Sequence, residues 1–237
     1  MSWHTFAIIR NKETPKQFPF FLLFCQMFSD PLSIVIIIAV FLIAISFHEA
    51  AHAFAAHKLG DITPKSEGRL TLNPLAHLDI VGTIAIFLFH FGWGKPVRVN
   101  PRNFENRRRD MMLVALAGPG ANFAIAFVAT GILVFSASHV PLGSILHNFL
   151  FMLAWLNTML GVFNLIPLPP LDGGSVLLGL LPKKIAPSAE EFLTLHGQVT
   201  FFILLAVDIF FDIPIITGPI FFVADKILLF FQFVFAF

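Results

Sequence analysis

The sequence predicts an all-α, polytopic membrane protein with about five to six transmembrane helices. Of its 237 residues, 57% are hydrophobic and only 12% are charged, whereas a soluble domain carries about 25% charged residues. The mean hydropathy is +0.84, and apolar runs of about 20 residues, enough to cross the hydrocarbon core, recur along the chain. The length suits one helical bundle with little room for an added soluble domain.

Charge and cysteine content exclude two classes of protein. A net charge of +1, with no basic face concentrated outside the loops, argues against nucleic-acid binding. A chain with one cysteine, Cys25, forms no intrachain disulfide and no Cys-rich zinc site. We interpret Cys25 as a small apolar residue rather than a nucleophile.

The N-terminal segment, residues 1–32, contains an apolar run that is too short to span the membrane. Phe18–Phe28 would extend about 16 Å as a helix, against a hydrocarbon core of about 30 Å. Asp30 and Pro31 then interrupt the run and suit the start of the next helix. Residues 18–28 are therefore predicted to be interfacial or re-entrant.

The first predicted span runs from about Ser33 to Leu59 and carries the sequence His48-Glu49-Ala50-Ala51-His52. Residues i and i+4 share a helix face about 6 Å apart along the axis, so both imidazoles can bind one metal ion. Glu49 falls beside them as a candidate base for activating water. Each ionisable group near the bilayer centre costs roughly 2.5–3.5 kcal/mol, so a cluster of them favours a functional site over snorkelling side chains.

A small β-hairpin and a re-entrant element are predicted between the first and second core spans. The polar stretch 61–79 has turn signals at Gly68 and Asn73-Pro74 around a short alternating piece, a pattern typical of a hairpin. The apolar run 78–91 would be about 21 Å long as a helix. Basic residues flank it on both sides, which indicates re-entry rather than crossing.

Basic residues mark one side of the membrane. Residues 94–110 carry six lysines and arginines, including Arg107-Arg108-Arg109, whereas the loop 138–144 has none. The positive-inside rule therefore places the basic loops in the cytoplasm, and we interpret the arginine cluster as this orientation signal. In the span between them, 111–137, small residues around Pro119 predict close helix packing and a kink.

The next span, from about 144 to 166, returns to the cytoplasmic side. Three prolines within residues 167–170 end the helix and hold an extended segment. A short helix over 173–181 is predicted to follow, and Asp172 stands at its start.

Asp172 has two interpretations. Because it directly precedes the predicted helix, it can serve as the N-cap residue. By topology, however, it returns to the leaflet that holds His48 and His52. A catalytic zinc site needs three protein ligands and an open position, and two histidines with a carboxylate are a known set. The sequence thus predicts one Zn²⁺ per chain, bound by His48, His52 and Asp172.

The remainder is predicted to be a C-terminal transmembrane helix pair, residues 183–237, with spans near 192–211 and 215–237 and a turn at 212–214. We interpret most of its polar residues, Asp208 among them, as snorkelling side chains near helix ends. The chain then divides into the N-terminal segment, a membrane core over 33–182, and this pair.

Several linked motifs resemble one protein family. They are His48-Glu49-Ala50-Ala51-His52, Gly68-Arg69-Leu70-Thr71-Leu72-Asn73-Pro74, Gly92-Trp93-Gly94-Lys95-Pro96-Val97, Ala117-Gly118-Pro119 with Asn122, and Phe163-Asn164 with Pro169-Pro170-Leu171-Asp172-Gly173. In this order, over about residues 33–182, they resemble the site-2 protease family of intramembrane zinc metalloproteases (peptidase family M50). The match is best to the small prokaryotic subgroup that lacks a PDZ domain.

The resemblance implies a zinc metalloendopeptidase of regulated intramembrane proteolysis. It implies Glu49 as the general base beside the three zinc ligands, and Asn122 and Asn164 as polar groups near the substrate or its developing oxyanion. The implied partners are the lipid bilayer and a membrane protein substrate with a transmembrane helix. The expected location is a bacterial or archaeal cell membrane, with the active site towards the cytoplasm.

Three alternatives stay open. A metal transporter with intramembrane His and Asp ligands would need a polar path and ligands in several spans near the midplane. A non-catalytic membrane scaffold would not need all four of the metal-binding and base residues. A hydrolase of lipid esters would keep the same zinc site.

Overall fold

The predicted all-α class is confirmed over the residues that the structure, a computed structural model, describes: 31–79, 82, 94–137, 139, 141–142 and 144–236. Five helices in these ranges are long and apolar enough to cross a membrane, so the chain is a multi-pass membrane protein. The predicted element at 18–28 and most of the re-entrant run 78–91 lie outside the described residues.

The helices have the following bounds: α1 Pro31–Lys58, α2 Arg107–Ser136, α3 Ile145–Asn164, α4 Asp172–Leu180, α5 Ala186–Phe211 and α6 Thr217–Ala236. All but the nine-residue α4 are candidate membrane spans. Helix α2 continues through Pro119, and α5 contains a π-helical turn at Leu193–Gly197. These bounds follow the predicted spans within a few residues; the division into three domains stays a prediction.

The predicted β-hairpin is wrong over the described residues. The stretch 61–79 forms a one-turn helix at Thr63–Ser66 and a 3-10 turn at Pro74–Ala76, and the pairing found there is an isolated bridge between Leu78 and Gly94. Each turn has a proline at its first or second position, where a missing N–H leaves no bond unmade. Local hydrogen bonds therefore replace a cross-strand ladder.

Helix α2 is the centre of the bundle, since it packs against α1, α3, α4 and α6. Its buried positions are mostly small, among them Ala115, Gly118, Ala126 and Ala129. Small side chains let helix backbones approach closely, which is how membrane helices gain packing energy without a hydrophobic driving force. The small buried residues of α2 thus let four other helices pack against it.

Asp61 ties the chain after α1 to the segment that precedes α2. Its carboxylate accepts hydrogen bonds from the amide and hydroxyl of Thr63, at 3.0 and 2.6 Å, from the backbone amide of Asn100 at 2.7 Å, and from the side chain of Asn103 at 2.7 Å. Burial alone would raise the pKa of Asp61, but these bonds to its charged form outweigh burial and lower the pKa.

The interpretation of Asp208 as a snorkelling side chain is wrong. Its carboxylate is buried and links the two helices of the C-terminal pair. Its carboxylate accepts hydrogen bonds from the backbone amides of Ile216 and Thr217, at 2.7 and 2.8 Å, and from the hydroxyl of Thr217 at 2.8 Å. It therefore satisfies amide donors at the start of α6, which have no partner within that helix, and joins α5 to it.

We expect Asp61→Asn to loosen the segment that contains Asn100 and Asn103. Hydrogen bonds to a charged group contribute about 1.5–3 kcal/mol, so amide hydrogen exchange of this segment should accelerate by roughly 10- to 100-fold. Because the pKa of Asp61 is lowered in the folded chain, protection in the wild type should be full above the unfolded pKa of about 3.9. It should be lost as the pH falls through the lower folded value.

Glu67→Gln is the matched control for this exchange measurement by mass spectrometry. Glu67 also joins the two segments, through an ion pair with Arg98 at 3.8 Å, but the Arg98 side chain is 80% exposed, and such pairs contribute little. Equal exchange rates in both variants would contradict the role given to Asp61.

Candidate metal centre

Two histidines of α1 and one aspartate of α4 bring three potential ligand atoms together inside the bundle. Nε2 of His48 lies 3.0 Å from Nε2 of His52. Oδ2 of Asp172 lies 3.2 Å from the first nitrogen and 3.3 Å from the second. Both histidines are buried, and Asp172 is partly buried. The structure therefore assembles the three predicted ligands into one group that could hold a metal ion.

The helical spacing of the two histidines accounts for only part of this geometry. Their rings stand nearly perpendicular, with an interplanar angle of 86° and centroids 4.5 Å apart. A spacing of i and i+4 places two side chains on one face, but it does not decide which nitrogen of each ring points inward. The partners of the two Nδ1 atoms decide that.

Nδ1 of His52 lies 2.7 Å from the backbone carbonyl oxygen of Val114 on α2. A carbonyl oxygen only accepts hydrogen bonds, so Nδ1 carries the proton and donates. In a neutral imidazole the other nitrogen, Nε2, then carries the lone pair. His52 is thereby held in the tautomer that a metal ligand requires.

Nδ1 of His48 lies 2.7 Å from Oδ1 of Asn122, also on α2. The amide group of Asn122 donates from Nδ2 to the carbonyl oxygen of Ala44 at 3.2 Å and to Oδ1 of Asn157 at 2.9 Å. The NH₂ group of Asn122 faces two acceptors, the carbonyl oxygen of Ala44 and Oδ1 of Asn157, so Oδ1 of Asn122 faces the ring. His48 therefore also donates from Nδ1 and points a lone pair inward.

The donor set fits a zinc ion. Three lone-pair atoms that face one another repel, and a cation at their centre removes the repulsion. Zinc at about 2.0–2.1 Å from each ligand in a tetrahedral site implies ligand atoms about 3.3 Å apart, close to the observed separations of 3.0, 3.2 and 3.3 Å. Two imidazoles and a carboxylate leave a fourth position open, as a catalytic site needs.

Gly118 provides the space in which the histidine rings meet. A Cβ atom at this position would overlap Nε2 of His52 and lie 2.6 Å from Cε1 of His48. Val114, Gly118 and Asn122 are four residues apart, so they form one stripe along α2. Along that stripe, the carbonyl oxygen of Val114 accepts from His52, Gly118 leaves room for both rings, and Oδ1 of Asn122 accepts from His48.

Asp172 is delivered by α4, which α2 also holds. Leu171 occupies the N-cap position and Asp172 the first turn, so the capping alternative for Asp172 is not the one observed. At the other end of α4, the guanidinium group of Arg108 donates to the carbonyl oxygens of Leu178, at 2.7 Å, and of Leu181. The arginine cluster thus has a structural role beyond the predicted orientation signal.

Glu49 and the two predicted asparagines occupy different surroundings. Glu49 follows His48 in the sequence and is buried. Its Oε2 accepts a hydrogen bond from the backbone amide of Val97 at 3.0 Å. Asn122 is fully buried and bonded to His48, a placement that favours a positioning role over the predicted contact with substrate. Asn164 is the last residue of α3 and donates to the carbonyl oxygen of Leu160 at 3.0 Å; its role near substrate stays a prediction.

Comparison with known proteins identifies relatives of this chain. Residues 138–207 match peptidase family M50. YwhC of Bacillus subtilis, named as a candidate zinc metalloprotease, is 37% identical over 73% of this chain and 82% of its own length. The Rip2 proteins of Mycolicibacterium smegmatis and Mycobacterium tuberculosis, named likewise, are 30% and 34% identical, with 65% and 66% of their lengths covered. No solved structure matches this chain.

The architecture and the relatives agree that the chain is a membrane-embedded metalloprotease. More particularly, it belongs to peptidase family M50, the site-2 protease family. The resemblance read from the motifs of residues 33–182 is thereby confirmed at the level of the family. The names of the relatives suggest zinc as the metal, in agreement with the donor set.

We expect Gly118→Ala to abolish high-affinity zinc binding, because the added methyl group overlaps the nitrogen of His52 that would bind the metal. The zinc affinity of the purified chain, measured by competition with a chelator, should fall at least about tenfold, as is typical when the contacts of a zinc ligand are disturbed. Gly120→Ala is the matched control: it lies two residues along the same helix, and a Cβ there meets nothing within 4 Å. Full zinc occupancy in Gly118→Ala would contradict the proposed centre.

Proposed function

We propose that this chain hydrolyses peptide bonds within or beside transmembrane segments of membrane protein substrates. In this proposal His48, His52 and Asp172 bind one zinc ion, and Glu49 is the general base. The observation that carries the proposal is the convergence of two Nε2 atoms and one carboxylate oxygen at 3.0–3.3 Å inside a membrane helix bundle. The family assignment supplies the class of bond that is cleaved.

A zinc ion bound by these residues supplies a Lewis acid that lowers the pKa of water and polarises a carbonyl group. The protein contributes the fixed ligand geometry. Both imidazole rings are held by Nδ1–H bonds to α2, so the ligands need little reorganisation when the metal binds. Such preorganised contacts around the ligands raise both their basicity and their metal affinity.

Glu49 handles the protons of the reaction. In the proposed mechanism its carboxylate accepts a proton as the oxygen of water attacks the scissile carbonyl carbon. It then transfers that proton to the departing amide nitrogen, and the C–N bond breaks. The backbone amide of Val97 donates to one carboxylate oxygen, Oε2, at 3.0 Å, which leaves the other oxygen, Oε1, to accept the proton.

The same proposal sets the direction of access. The two histidine ligands lie in the second half of α1, towards the end that leads along the chain to the basic region 94–110. By the positive-inside rule that end faces the cytoplasm of a bacterial or archaeal cell, so water reaches the zinc from that side. A transmembrane substrate helix hides its amides in hydrogen bonds, so it must unwind locally before cleavage.

The alternatives weighed from the sequence have less support. A transporter has no need of a glutamate between two metal-binding histidines, and a scaffold needs no metal-binding set at all. The relatives named as zinc metalloproteases favour peptide hydrolysis over lipid ester hydrolysis.

We expect Glu49→Gln to keep zinc and lose proteolysis. Glutamine is nearly isosteric and leaves the three ligands untouched, but it cannot accept the proton from water. General bases contribute about 10²- to 10⁴-fold, so cleavage of a single-span test substrate should fall by that factor. The purified chain, reconstituted in lipid vesicles with the substrate, allows both zinc content and the cleavage rate to be measured.

Glu67→Gln is the control for this experiment, since it makes the same chemical change at a residue whose recorded partner is the exposed Arg98. It should cleave at the wild-type rate. Wild-type cleavage by Glu49→Gln would remove the proposed mechanism. Zinc-dependent ion flux across the vesicle membrane without any cleavage would instead indicate transport.

A further inference from the structure

Asn157 is a buried amide in the middle of α3 that the sequence analysis did not single out. Its side chain is 0% exposed, as is that of Asn122, its hydrogen-bond partner on α2. An unpaired polar group buried in a membrane span costs several kcal/mol, and both amides are paired.

The hydrogen bonds of the two amides form a chain with one direction. Nδ2 of Asn157 donates to the carbonyl oxygen of Leu153 at 2.9 Å, and a carbonyl oxygen only accepts. Oδ1 of Asn157 is therefore the atom that faces Asn122, and it accepts from Nδ2 of Asn122 at 2.9 Å. Oδ1 of Asn122 is then left to accept from Nδ1 of His48 at 2.7 Å.

We propose that Asn157 is a positioning residue of the metal centre, which holds the amide of Asn122 in the orientation that leaves Nε2 of His48 free to bind the metal. The proposal rests on the proposed zinc centre and adds to it a residue that lies on neither ligand-bearing helix. Asn157 acts only through Asn122: the oriented amide keeps the proton of His48 on Nδ1.

Removal of the acceptor on Asn157 releases Asn122. The remaining bond of the Asn122 amide, to the carbonyl oxygen of Ala44, is the longer of its two Nδ2 bonds, 3.2 Å against 2.9 Å. If the amide turns over, its NH₂ group faces Nδ1 of His48. The ring must then accept at Nδ1 and carry its proton on Nε2, and a protonated Nε2 cannot bind a metal.

The decisive variant is Asn157→Ser. A serine hydroxyl can donate to the carbonyl oxygen of Leu153 one turn earlier, as the hydroxyl of Thr158 does to that of Ala154 at 2.8 Å, but it is too short to reach Asn122. The helix therefore keeps its internal bond and only the orienting contact is lost. Disturbed contacts to a zinc ligand typically lower affinity by about 10- to 100-fold, and we expect that loss here.

Asn157→Asp should restore the affinity. Burial in the apolar span keeps a carboxyl group at this position neutral, so its O–H group donates to Leu153 while its carbonyl oxygen accepts from Asn122. Both bonds of the wild-type amide are thereby reproduced. A merely structural account, in which any change at this buried position harms the fold, predicts no such recovery.

The matched control is Thr158→Val. Thr158 is the next residue of α3, equally buried, and it loses the same kind of bond to the preceding turn. It should destabilise the bundle without a change in zinc affinity. A loss of affinity in Thr158→Val equal to that in Asn157→Ser would overturn the proposal.

The measurements use the full chain in detergent. Zinc affinity is read by competition with a chelator, and the visible absorption of the Co²⁺-loaded chain reports the ligand field at the metal.

A double variant tests whether Asn157 acts through Asn122. If it does, Asn122→Leu with Asn157→Ser should lose no more zinc affinity than Asn122→Leu alone. Losses of affinity that multiply in the double variant would overturn the proposal. Wild-type affinity with an unchanged cobalt spectrum in Asn157→Ser would overturn it as well. A wild-type chain that binds no zinc would instead refute the metal centre itself.

Discussion

The geometry of the site depends on one constraint: each imidazole must donate from Nδ1, so that both Nε2 lone pairs point to the same place. Helix α2 satisfies this constraint twice, with the carbonyl oxygen of Val114 and the amide oxygen of Asn122. The order of contacts shows how the helices run. His48 meets Asn122 and His52 meets Val114, so residue numbers rise along α1 as they fall along α2, and the two helices are antiparallel. Gly118 lies between these contacts and leaves room for both rings.

The same helix also contacts α4, which carries the third candidate ligand. Arg108, in the first turn of α2, bonds carbonyl oxygens at the C-terminal end of α4, where a helix presents unpaired acceptors and partial negative charge. Gly179 of α4 packs so closely on Met112 that a Cβ atom there would overlap it. Because α4 carries Asp172 at its first position, the bonds from Arg108 to its last turn help to hold the helix that presents the carboxylate.

The parts of this site that sequence could predict are those with local patterns. The spacing of His48 and His52, the span that carries them, and the return of Asp172 to the same leaflet all follow from periodicity and hydropathy. The acceptor on Val114 could not be predicted, because any residue type supplies a backbone carbonyl. Asn157 and Arg108 act through contacts between helices distant in sequence, and an asparagine or arginine by itself does not indicate its partner. The hairpin prediction failed because turn residues at 68 and 73–74 are equally compatible with short helical turns that begin at proline.

The choice of neutral partners for the histidines follows from their position in a membrane. Metal-binding histidines in proteins often donate to a carboxylate, yet here they donate to an amide and to a backbone carbonyl. In the proposed centre, two carboxylate groups, those of Asp172 and Glu49, would balance the charge of one divalent cation. A further carboxylate behind either ring would leave the buried cluster with a net negative charge, at the high cost of an uncompensated charge in a membrane span. Neutral acceptors orient the rings without that cost, but an amide can turn over where a carboxylate cannot. The amide of Asn122 therefore needs a second amide, that of Asn157, to fix its direction.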